Sequence, residues 1–260
     1  MDASTPTYDA LAAHLTRLHH YEHLGSILSW DRAANMPPKG NDARGAAMAE
    51  LAALMHRMRT EPGLADRIAR AQDEPLSDVQ RANLREIRRQ WQLANALPEE
   101  LVKRHELLTS RCEHAWRTQR PANDWAGFLE NWRPVVALAR EEAALLAQQT
   151  GLSKYDALMD RFEPGMTSAQ VGRVFGAVRQ WLPGLIDRVV ERQRADKLIA
   201  PRGPFAIEAQ QALCQRVVAM LGFDFEAGRL DTSTHPFSGG VPEDVRMTTR
   251  YREDEFLPAL

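Results

Sequence analysis

Cysteine is nearly absent: the 260 residues hold two, Cys112 and Cys214, too far apart to form a metal-ligand or redox spacing. Two reduced, buried thiols and a cytoplasmic location follow as expectations. No apolar run approaches the roughly 18 residues of a membrane span, and Met1 to Thr7 carry neither the charged nor the apolar region of an export signal. The chain is therefore expected to be neither exported nor anchored. An excess of one charge is missing as well. The 33 Lys and Arg residues and 35 Asp and Glu residues are interspersed, for a net charge of -2. That leaves no electrostatic footprint for nucleic acid or an anionic membrane, and neither is expected as a partner. Fixed-period repeats and low-complexity linkers are also lacking.

What is present is apolar content, 44% of the chain, enough at this length for one large core or two modest ones. It is distributed as amphipathic helices. Thr5-Pro6 places a cap residue before a proline at the first helical position, and Tyr8, Leu11, Leu15 and Leu18 recur at helical spacing. A second helix follows Asp42 with Met48, Leu51, Met55 and Met58 along one side. The capping box Ser77 to Gln80 opens a third, and Pro98-Glu99-Glu100 a fourth carrying Leu101, Leu108, Cys112 and Trp116. Asn123-Asp124 introduces a fifth that ends at Gly151. A second capping box, Thr167 to Gln170, begins a helix with Val171, Val174, Val178, Leu182 and Leu185, in which Pro183 is a candidate kink. The last runs from Pro204 to Leu221, with Gly222 as a left-handed stop. All these apolar stripes, and Trp30 with them, are read as core. His56, His105 and His114 are read as ordinary helix residues.

After Gly222 the period changes. Val245, Met247, Thr249 and Tyr251 alternate with Arg246, Thr248, Arg250 and Arg252, the pattern of a strand with one buried and one solvated face. Ser238-Gly239-Gly240 reads as a turn joining it to an extended, Thr-rich approach, Leu230 to His235, in a small antiparallel β-ribbon. Glu253-Asp254-Glu255 then supplies acids for a helix N-terminus whose first turn is Phe256 to Leu260. A one-turn helix is not stable by itself, so Leu260 reads as a cut and not a domain edge. The fold class is mainly α: a multi-helix array over residues 1-260 as a single helical region, with the ribbon and that first helical turn over 223-260.

Four landmarks resemble one family. His235-Pro236-Phe237 followed by Asp244-Val245-Arg246-Met247-Thr248 is similar to the HPF and DXRXT motifs of the carboxypeptidase Taq (thermostable carboxypeptidase 1) family, in order and at nearly the usual interval. Trp30-Asp31 with Met36-Pro37, Gly40 and Arg44 resembles its N-terminal segment, and Tyr155 to Leu158 through Glu163 to Met166 another of its runs. The resemblance spans the whole chain. It implies a mostly helical fold about twice this length, often a homodimer, that releases C-terminal residues from peptides with a divalent metal, zinc or cobalt. The metal is held by an HEXXH helix and a downstream glutamate, since i, i+4 imidazoles converge on one ion that acidifies its water. In the family that helix begins a few residues after the DXRXT strand, and no HEXXH occurs in these 260 residues.

The resemblance therefore implies the N-terminal part of a metallocarboxypeptidase, truncated before its metal helix, with no catalytic residue, no metal ligand and no bound metal of its own. The missing C-terminal half is an expected partner, along with a peptide substrate, and an apolar groove is expected to be exposed where that half packs. Substrate-side roles fall to His235, Pro236, Phe237, Asp244, Arg246 and Thr248. For Arg246 two readings stand: pairing with Asp244, or reaching a substrate carboxylate. The alternative is a non-catalytic, shortened relative that binds peptides or dimerises. One competing constellation remains, His19-His20-Tyr21-Glu22-His23, a literal H-x-x-E-H on a helix. A third ligand cannot be singled out, and a surface histidine cluster is the expected reading.

Overall fold

The computed structural model describes residues 4–197 and 201–259. Among them are nine α-helices and a three-stranded sheet: α1 (Pro6–Ala34), α2 (Asn41–Arg59), α3 (Leu64–Ala71), α4 (Asp78–Asn95), α5 (Glu99–Gln119), α6 (Trp125–Thr150), α7 (Lys154–Met159), α8 (Ser168–Gln193), α9 (Ile207–Met220), β1 (Gly228–Thr232), β2 (Ser238–Val241) and β3 (Asp244–Thr249). No helix among the described residues is long and apolar enough to cross a membrane. Both cysteines are free and buried.

Each helix expected before Gly222 forms, and both capping boxes close reciprocally at Ser77/Gln80 and Thr167/Gln170. The start of α1 differs. Thr5 makes no cap bond with its side chain; the Glu74 carboxylate accepts from the Thr7 and Tyr8 amides at 2.7 and 2.9 Å. Glu74 thereby satisfies donors that the first turn leaves open. Short α3 has no counterpart among the expected elements. Its Leu64, Ile68 and Ala71 share one face and close a core with Tyr8 and Leu11 of α1 and Leu84 and Ile87 of α4. Burying each large aliphatic contributes about 1.5–3 kcal/mol. A second buried layer joins α2, α5 and α6 through Met48, Ala53, Leu101, Leu138 and Leu146.

The apolar stripe of α8 is not core. None of its described residues is buried; Phe175 is 59% and Trp181 55% exposed, with Val174, Ile186, Val189 and Val190 also open. The helix runs unbroken through Pro183. A stripe this wide marks a contact face, and no described element covers it.

The sheet corrects the expected ribbon. Its order is β1-β3-β2, with β1 parallel to β3 and β2 antiparallel to it. Ser238-Gly239-Gly240, expected as a turn, is the body of β2. The turn falls instead at Pro242-Glu243, between β2 and β3. Gly240 makes this hairpin possible: its φ is +100°, and a Cβ there would lie 2.2 Å from the Asp244 carbonyl oxygen. With β2 on one side of β3, β1 adds to the other.

The face of β3 expected to be solvated is half-buried to buried along the strand, the second correction. The Asp244/Arg246/Thr248 face is covered because α1 lies across the sheet, and Thr248 is as buried as Thr249 on the opposite face. Beyond β3, Asp254 and Glu255 do not cap a helix: both pair with Arg252, at 2.8 and 3.4 Å, and only a 3-10 turn, Leu257–Ala259, follows. Leu260 lies outside the described residues.

Candidate functional site

The six residues expected at a substrate groove fall into two adjoining groups. In the first, Thr248 fixes the His235-Pro236-Phe237 segment. Its backbone N–H donates to the Phe237 carbonyl at 2.8 Å, and its Oγ1 accepts from the Phe237 N–H at 3.0 Å and from Ser233 Oγ at 2.8 Å. An exposed loop is thereby held in one conformation. His235 and Phe237 then line a cleft of about 430 Å³ with Trp116, Arg32, Arg117 and Glu113. The His235 ring stands edge-on to Trp116, 6.4 Å between centroids. Pro236 is exposed and outside the lining.

In the second group Asp244 and Arg246 turn to α1. Arg246 Nη1 donates to Asp244 Oδ1, and His23 Nε2 lies 3.0 Å from Oδ2. Burial pushes the Asp244 carboxyl up, but the two cationic or hydrogen-bonding partners outweigh it and hold the group below the usual carboxylate range. The Arg246 guanidinium carbon sits 4.9 Å from the centre of the Trp30 ring, and that of Arg229 sits 5.0 Å from it. Trp30 is core, as expected, and is also a cation–π platform. Its Nε1 donates to Asp231 at 3.2 Å, while Arg229 grips the same carboxylate with two bonds of 2.8 and 2.6 Å. Of the two readings for Arg246, pairing with Asp244 is present.

The other landmarks are structural. Arg44 ties α2 to α1 through Asp31 at 2.6 Å and the Leu28 carbonyl at 2.9 Å. Asp156 accepts from the Ser168 amide at 2.8 Å, which holds its carboxyl low and caps the start of α8. Gly165, at φ +80°, gives its amide to Asp160 at 2.8 Å.

Sequence reasoning assigned no role at this site to His23, Arg32 or Trp116. His23 and Trp30 are seven residues apart, two helical turns, so a shared face of α1 was a usable signal. Their partners, more than 200 positions away, have no local signature.

The H-x-x-E-H segment scatters its side chains among different partners. His19 approaches Glu22 only to 3.8 Å, Glu22 is engaged with Arg59 at 2.5 Å, and His23 is turned to Asp244. Among the described residues no group of three or more His, Cys, Asp or Glu side chains is placed to hold a metal ion. These residues do not fit a metal centre, and no chemical step through one is derived from them.

A helical array that holds the HPF segment against the DXRXT strand of a small sheet fits a metallocarboxypeptidase relative. The description "Carboxypeptidase Taq (M32) metallopeptidase" matches residues 10–260, and the chain belongs to that family. It is 36% identical over 247 residues to thermostable carboxypeptidase 1 of Thermus thermophilus, covering 90% of this chain and 48% of that protein. Against thermostable carboxypeptidase 1 of Pyrococcus furiosus the identity is 28%, over 96% of this chain and 50% of that protein. The structure of Trypanosoma cruzi metallocarboxypeptidase 1 is similar at a TM-score of 0.82 and 46% identity, covering 99% of this chain and 52% of that one. The chain thus spans about half the length of the relatives it matches.

Proposed function

We propose that this chain forms the scaffold and the peptide-side wall of a metal-dependent carboxypeptidase that releases C-terminal residues from peptides. The observation that carries the reading is the Thr248 clamp on Phe237, which joins the two motifs at the mouth of an aromatic cleft. Phe237 and Trp116 offer apolar surface to a peptide side chain, and edge strand β2 offers backbone groups to an extended chain. Arg32 and Arg117 are the cationic groups of that cleft, and Arg246, over Trp30, pairs with Gly239 of β2.

Hydrolysis in this reading requires the HEXXH helix and its zinc or cobalt, which polarises the scissile carbonyl and supplies an acidified water. By itself the 260-residue chain is inactive. Its partners are a peptide, the C-terminal half of the enzyme, which packs on the apolar face of α8, and a second copy in a homodimer; its compartment is the cytoplasm. The test is the reading frame downstream of Leu260. An HEXXH codon run in frame supports the proposal, and an immediate stop codon transfers the case to a non-catalytic, peptide-binding or dimerising relative.

A further inference from the structure

Asp244 divides its carboxylate between two side chains, with Oδ1 taken by Arg246 and Oδ2 3.0 Å from His23 Nε2. Arg246 Nη1 also donates to the Val245 carbonyl at 3.1 Å, and the guanidinium is stacked 4.9 Å from the Trp30 centroid. Three constraints therefore set the plane of one cation. Of its remaining donors Nε is buried without a partner, out of reach of a ligand, while Nη2 forms no hydrogen bond among the described residues. A planar guanidinium fixed in this way with Nη2 spare is pre-organised to donate to a carboxylate.

His23 is the element of this arrangement that lies outside the four family landmarks. Its Nδ1 is buried and without a partner. An ionised carboxylate only accepts, so the contact with Asp244 is a donated Nε2–H bond. We propose that His23 is a positioning residue: by holding Oδ2 it fixes the rotation of the Asp244 carboxylate, and through it the orientation in which Arg246 meets the free C-terminal carboxylate of a bound peptide. This rests on the peptide-binding reading above.

The test uses the 260-residue chain and a fluorescent apolar peptide in two forms, one with a free C-terminal carboxylate and one amidated. Anisotropy gives both dissociation constants, and a melting curve accompanies each variant. The wild type is expected to prefer the carboxylate form by about tenfold, and Arg246→Ala to lose that preference. His23→Ala is expected to lose most of it while still binding the amide as the wild type does. His23→Gln, whose side-chain amide can donate in place of Nε2, is expected to restore it to within about twofold. If His23→Ala does not fold, His23→Phe, which keeps a ring and lacks the donor, takes its place. A His23→Ala or His23→Phe chain that discriminates as well as the wild type overturns the inference and leaves the peptide-binding reading standing. Equal binding of both peptides by the wild type also overturns the inference alone. Binding of neither peptide overturns the reading and the inference together.

Discussion

Thr248 and Phe237 hold each other through both ends of the Phe237 peptide unit: the Phe237 N–H donates to Thr248 Oγ1 at 3.0 Å, and the Phe237 carbonyl accepts from the Thr248 N–H at 2.8 Å. The hydroxyl does for this loop what another strand residue would do for a ladder. It fixes a segment whose flanking residues, His235 and Pro236, are exposed. The rigidity of the cleft wall thus originates in a buried side chain on the neighbouring strand.

Replacing Thr248 by Val keeps the shape and removes the acceptor, leaving the Phe237 N–H without its partner. A loss of about 1–3 kcal/mol is expected in urea unfolding. Amide exchange should quicken at Phe237 ahead of β3. Unchanged protection at Phe237 would contradict the clamp.

Trp30 joins α1 to β1 and β3 through one donated bond and two stacked guanidiniums. Trp30→Ala removes all three and opens a cavity, and chemical denaturation should show about 3–5 kcal/mol lost. Arg229→Lys breaks the bidentate contact with Asp231 and replaces the guanidinium over Trp30 by an ammonium. Its expected cost is below about 1 kcal/mol.

His56 is buried on α2, and burial, the largest influence, pushes its pKa below the ordinary 6.5. Glu99 opposes the shift, while Arg57 and Arg59 reinforce it. A base depressed in the folded state takes up its proton more readily when unfolded. Its contribution to stability is therefore present above about pH 6.5 and lost as pH falls through the lower, folded value. Urea midpoints should decline from pH 7 toward pH 5, and the decline should be shallower in His56→Gln. Equal slopes would remove His56 as the cause.

The apolar face of α8 predicts association. Phe175→Glu with Trp181→Glu should reduce dye binding and high-concentration oligomers, and change stability by no more than about 0.5 kcal/mol for each substitution, since neither side chain is buried. A large drop in melting temperature would show that the face packs on this chain itself.

Most helices were legible because their punctuation is local: Ser77 with Gln80, Thr167 with Gln170, Asp124 and Gly151 each act within a turn of where they sit. What escaped was set by distance in the chain. The amides that Thr5 leaves open are met by Glu74, nearly 70 positions on. Strand periodicity placed Asp244, Arg246 and Thr248 on one face, but that α1 covers the face could not be read from β3 alone. The opposite error occurred at α8, where apolar spacing marks a contact face without stating whether this chain supplies the contact. At the candidate site the HPF and DXRXT segments were identifiable, while His23 and Trp116 acquire meaning only once α1 meets the sheet and α5 meets the His235 loop.

The most direct test of the central claim is release of C-terminal residues from a peptide by the purified 260-residue chain, with zinc or cobalt added and with a chelator control. Peptide binding without release above the metal-only background is the expected result. Stoichiometric tight metal together with chelator-sensitive release would contradict it, and would place a catalytic centre within these residues.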